Sequence, residues 1–112
     1  MAKIKAKAQT ANIRIENVMD EPSLYFRPDH LLIKTLIQVF EEQTGQQGKP
    51  LAMGGGTYAK SMPHIVAYGP RFPGAPVAEH QPNEYIKIED LILNAKIYAH
   101  AIYELSQKDW NL

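Results

Sequence analysis

The sequence has 112 residues, with twelve lysines and arginines balanced by twelve aspartates and glutamates, and it has no cysteine. That length holds one modest core rather than two independent domains, and the balanced charge supplies no long-range field for nucleic acid or an anionic membrane surface. Disulfides, thiolate metal ligands and a cysteine nucleophile are excluded, and no apolar run approaches the length of a membrane span, so a cytoplasmic protein without nucleic-acid or membrane partners is expected.

At the start, "MAKIKAKAQT" places lysines at alternate positions with no apolar stretch behind them, which does not read as a secretory leader. Residues 11–18, "ANIRIENV", put Ile13 and Ile15 on one side and Asn12, Arg14 and Glu16 on the other, the period of a half-buried strand. Pro22 and Pro28 then bracket an extended connector holding Tyr25 and Phe26. With Asp29 as the expected N-cap, residues 30–43 carry Leu32, Ile33, Leu36, Ile37, Val39 and Phe40 at helical spacing, and Thr44 with Gly45 gives the stop. "KPLAM" (49–53) and "HIVAY" (64–68) are expected as short buried strands, with a turn or two of helix between them capped by Thr57. Residues 70–83 hold Pro70, Pro73, Pro76 and Pro82 and are read as loop. Residues 89–107 form a long amphipathic helix whose apolar stripe is read as Leu91, Ile92, Ala95, Tyr98, Ala99, Ile102 and Leu105. Helices alternating with strands predict an α/β layer arrangement with a partly parallel sheet.

Two places could carry chemistry. "GGGTYA", from Gly54, satisfies the loose G-x-G-x-x-A pattern for dinucleotide binding, but the preceding strand is short, no acidic residue closes a second strand unit, and no Gly-Lys-Ser or Gly-Lys-Thr run makes it a P-loop. The glycines serve either a tight turn with positive φ or the close approach of bare backbone, with the Thr57 hydroxyl, to a bound group such as a peptide carboxylate. The second place is His80, in "AEHQPNEY", with Asn83 and Glu84 close behind on a loop, where binding residues concentrate. His80 and Glu84 stand four apart, but Pro82 between them argues against a helix presenting both. His30 and His100 read as structural or solvated, and no self-sufficient catalytic signature is present.

Taken in order, "YFRPDHLLIKTLIQVFEEQTG", "GGGTYAKSMPHIVAYGPRFPG" and "EHQPNEYIKIEDLILNAKIYAHAIYEL" resemble the C-terminal part of the dinuclear-zinc dipeptidases of the peptidase V type, within the aminoacylase and carboxypeptidase G metallopeptidases. The likeness is strong over residues 20–112 and looser over the first strand. It implies a partial three-layer α/β/α zinc-exopeptidase catalytic domain, with residues 1–24 as the terminal strand and exit of a lid domain and 25–112 as the closing portion of the catalytic domain. It implies that His80 ligates one of two zinc ions, that Gly54, Gly55, Gly56 and Thr57 line the dipeptide site, and that Asn83 and Glu84 support the histidine. In such enzymes the two zinc ions clamp a water and polarise the scissile carbonyl. Many relatives carry aspartate where this chain has Tyr58, and the tyrosine fits the dipeptidase branch.

The other ligands and the general base of that family have no counterpart in this sequence, and one imidazole cannot hold a catalytic zinc, which takes about three protein ligands. The expected function is therefore that of a C-terminal fragment of a zinc dipeptidase, inactive alone, whose partner is the missing N-terminal catalytic portion. The competing expectation is a non-catalytic α/β binding domain that forms homo-oligomers through uncovered apolar surface. A small nucleotide-binding protein using the glycine loop is the third.

Overall fold

A computed structural model describes residues 2–18 and 22–110. Among them are three α-helices, α1 (Ala2–Thr10), α2 (Leu31–Thr44) and α3 (Ile88–Ser106), and a short 3-10 helix, Tyr58–Ser61.

The sequence accounts for α2 in detail. His30, in extended conformation, caps it: its Nδ1 accepts from the Leu32 amide at 3.2 Å. The expected cap, Asp29, is instead held by a two-bond pair with Arg27, at 2.9 and 2.6 Å. At the other end Gly45 takes φ 67°, and its amide donates to Glu41 O at 2.8 Å, closing the helix with the left-handed residue that glycine supplies without steric cost. Ile33, Leu36 and Val39 are buried, Val39 completely.

In α3, Glu89 and Asp90 occupy the first turn, where carboxylates complement the helix dipole. The face that packs on α2 carries Asn94, Ile97 and Ala101, flanked by Leu93 and Leu105. This corrects the stripe read from the sequence: Leu91, Ile92, Ala95, Ala99 and Ile102 lie on the opposite side and are exposed. The helix is apolar on two faces, and Asn94 in the middle of the packed one hides it from a search for hydrophobic periodicity. Across the helix pair, Gln43 Nε2 meets His100 Nδ1 at 3.0 Å, and Glu42 and Glu104 stand 3.5 and 3.8 Å from His100 Nε2. His100 thus has a structural place, as expected.

No strand is formed among the described residues. The stretches 11–18, 49–53 and 64–68 lack regular secondary structure, because a strand exists only through hydrogen bonds to a neighbouring strand. Residues 64–68 still reach the core, since Val66 and Tyr68 pack against the helix pair. Residues 2–10, whose alternating lysines lie within the expected lid strand, are helical instead, in line with the helix propensity of alanine and lysine. Nothing in α1 is buried. The expected exit from the lid at residue 24 runs through 19–21, outside the described residues.

The α-helices that pack together are α2 and α3, with Val66, Tyr68 and Phe72 from the segment between them against their core. The radius of gyration is 18.7 Å, where a compact chain of this length has about 13 Å. The accessible surface is 9701 Å², against about 6,200 Å² for a folded monomer of this mass.

Candidate functional site

Gly54, Gly55 and Gly56 precede the 3-10 helix, whose cap is Thr57 as expected: its hydroxyl accepts from the Ala59 amide at 3.3 Å. The positive-φ glycines are Gly45, Gly69 and Gly74, so the triple glycine makes no left-handed turn. A Cβ built on any of the three meets nothing within 4 Å. Neither backbone conformation nor neighbouring atoms in this chain account for the three glycines. Tyr58, beside them, is 91% exposed.

His80 is exposed, on the loop between Pro70 and α3. Its backbone sits at φ 61° and that of Asn83 at φ 60°, the left-handed region that non-glycine residues seldom enter and that costs about 1–2 kcal/mol. Two turns hold the kink: the Gln81 amide donates to Ala78 O and the Glu84 amide to Gln81 O, both at 3.2 Å. The Glu84 carboxylate accepts from the His80 amide at 3.3 Å, so His80 and Glu84 are brought together through backbone rather than through the imidazole. Arg71 and Glu79, 3.4 Å apart, close the same loop. Beneath it opens a cavity of about 110 Å³ whose lining includes Arg71, Glu79, Glu84 and Lys87. Neither His80 nor the glycines contribute to its wall.

The loop is moored to the helices by contacts that sequence reasoning missed. Asn94, 4% exposed, donates from Nδ2 to Pro70 O at 2.8 Å. One turn along α3, the Tyr98 hydroxyl donates to Tyr68 O at 3.2 Å, and the Tyr68 hydroxyl donates to Leu36 O in α2 at 2.8 Å. The Tyr68 phenol is pushed up to about 12 by burial, with repulsion from Tyr98 added. The available signal was Asn94 itself, a polar residue three before Ile97 and seven before Ala101, on a face otherwise suited to a core.

Among the described residues no three histidine, aspartate or glutamate side chains gather in a geometry that could hold a metal ion. A zinc centre takes about three protein ligands, so the residues of this chain do not by themselves fit one. No helix among the described residues is long and apolar enough to cross a membrane.

The sequence profile of Peptidase family M20/M25/M40 matches residues 3–104. The chain belongs to this family. Its M20 relatives include YtjP of Bacillus subtilis (strain 168), whose name carries a provisional dipeptidase assignment; it is 51% identical over 79 residues, 70% of this chain and 17% of the relative. The Beta-Ala-Xaa dipeptidase of Lactobacillus delbrueckii subsp. lactis is 39% identical over 93 residues, 83% of this chain and 20% of its own length. A provisionally named dipeptidase of Staphylococcus saprophyticus is 31% identical over 105 residues, 94% of this chain and 22% of its own. The chain thus spans about a fifth of the length of the curated M20 relatives it matches. No solved structure matches it. The family is one of α/β proteins that are generally metal-dependent, which agrees with the expected class at that level.

Proposed function

We propose that this chain supplies the C-terminal portion of the catalytic domain of an M20 zinc dipeptidase that cleaves short unblocked peptides, and that it is inactive without the remainder. One observation carries the reading: the family profile covers residues 3–104, yet no metal-binding cluster gathers among the described residues. A complete site must then draw its other ligands from polypeptide beyond these residues. In this reading His80 is one zinc ligand, with Asn83 and Glu84 supporting it, and Gly54, Gly55, Gly56 and Thr57 offer bare backbone and a hydroxyl to the dipeptide. The empty space around the three glycines supports that role, because their lack of side chains serves no contact within the chain. Residues 49–53 and 64–68 become strands of the three-layer domain once neighbouring strands are present, and residues 1–24 leave the lid. The cysteine-free composition suits a cytoplasmic setting.

The test is co-expression with the upstream portion of a related dipeptidase, followed by hydrolysis of β-Ala-Xaa and other dipeptides. Turnover is expected from the pair and not from the chain alone. His80→Ala should lower it by more than about 100-fold, since even supporting groups around a metal cost 10–100-fold. Full turnover in that variant, or tight binding of two zinc ions by the isolated chain in calorimetry, contradicts the assignment.

The alternative is a non-catalytic homo-oligomer, favoured by the exposed apolar face of α3. Light scattering separates the two readings: a stable homo-oligomer that ignores the upstream portion favours the alternative.

A further inference from the structure

We infer that Asn94 and Tyr98 are positioning residues that fix the direction in which the loop bearing His80 leaves the helix pair. They stand one turn apart on α3 and donate to Pro70 O and Tyr68 O, the carbonyls on either side of Gly69. Gly69 fits between them at φ 74°, where a Cβ would clash with the Tyr98 hydroxyl and lie 3.3 Å from Asn94 Oδ1. The backbone is thus gripped at the point where residues 64–68 give way to the proline-rich loop, and the loop's far end runs directly into the first turn of the same helix at Ile88. Both ends of the segment carrying His80 are fastened to one rigid rod.

Packing alone does not call for this arrangement. An aliphatic side chain at position 94 would suit the face shared with Ile97 and Ala101, whereas a buried amide is costly unless it is bonded. What the amide adds is specificity, one register of the chain at Pro70 in place of several. The functional weight of the inference rests on the placement of His80 in the dipeptide site; the grip itself does not.

Because the chain has no cysteine, Ala78→Cys with Ala99→Cys gives a unique pair of spin-label sites, one on the loop and one on the exposed side of α3. Double electron–electron resonance on the 112-residue chain should show one narrow distance distribution. Asn94→Ala and Tyr98→Phe should each raise the released population about fivefold to tenfold, as expected for one lost hydrogen bond, while helical circular dichroism holds. Unchanged distributions in both variants overturn the inference. Should Asn94→Ala lose helical signal, Tyr98→Phe decides, because it removes only a hydroxyl. In the active pair with the upstream portion, both variants should lower kcat with little change in KM, and a loosened loop with unchanged kcat also overturns the positioning role. A loosened loop together with full activity of His80→Ala leaves the grip intact and removes the site assignment instead.

Discussion

Gly69 is the position at which a single methyl group tells most. Its φ of 74° disfavours any side chain, and its nearest neighbour is a hydroxyl that donates to the preceding carbonyl. Gly69→Ala should therefore destabilise the helix pair by about 1–3 kcal/mol, the combined cost of overpacking and a disfavoured backbone, as read by urea unfolding. Neighbouring Tyr68 makes an alkaline prediction. Its phenol is raised from 10.0 to about 12 in the folded chain, so the native state holds the proton that the unfolded chain releases first. The stabilising contribution is complete below pH 10 and is lost between about pH 10 and 12 as the phenol ionises. Tyr68→Phe should flatten that fall in a pH series of thermal melts, and an equally steep fall in the variant contradicts it. At this scale the sequence was legible where a residue acts on its own backbone: Gly45 and Thr57 were read correctly. It was misleading where side chains compete, as when Arg27 took Asp29 and left the cap to His30. The triple glycine was legible as unusual but not as to why, because a glycine that serves empty space looks the same in sequence as one that serves a turn.

At the scale of elements, α2 was readable to within a residue at each end, since one apolar face and a glycine stop agree even though the cap falls on His30 rather than Asp29. The position of α3 was readable too, but its packed side was not. Two faces compete in that helix, and the more hydrophobic one is the one left open, while the buried one is interrupted by an amide whose partner lies 24 positions away. The two faces give a paired prediction. Ile97→Ala opens a cavity beside α2 and should cost about 2–5 kcal/mol, whereas Ile92→Glu, on the open side, should leave the unfolding midpoint within about 0.5 kcal/mol. If the open face is covered in a larger assembly, the same Ile92→Glu should abolish association with the upstream portion, measured by analytical ultracentrifugation. The missing strands follow from the same logic. Alternation in 11–18 and the apolar runs at 49–53 and 64–68 state a capacity for pairing, and pairing is a property of two segments rather than one.

For the whole molecule, surface and dimensions describe a chain with less core than its length permits. Small-angle scattering at low concentration should return a radius of gyration near 18.7 Å, and a value near the 13 Å or so of a compact globule contradicts the open arrangement. The resemblance to metallodipeptidases was readable from three ordered motifs, and the family assignment agrees with it. The candidate site was readable only as a list of residues, and the structure brings neither His80 nor Gly54, Gly55 and Gly56 to the wall of the cavity beneath the loop. The oily outer side of α3 has a consequence for the life of the polypeptide in a cell. A rod that is greasy front and back survives in proportion to the company it keeps: binding that stabilises the native form acts by mass action, and an orphaned copy is triaged by chaperones and proteases. In the proposed reading, where the upstream portion covers Ile92 and Ile102, the amount of folded C-terminal portion should follow the supply of that upstream portion more closely than its own rate of synthesis.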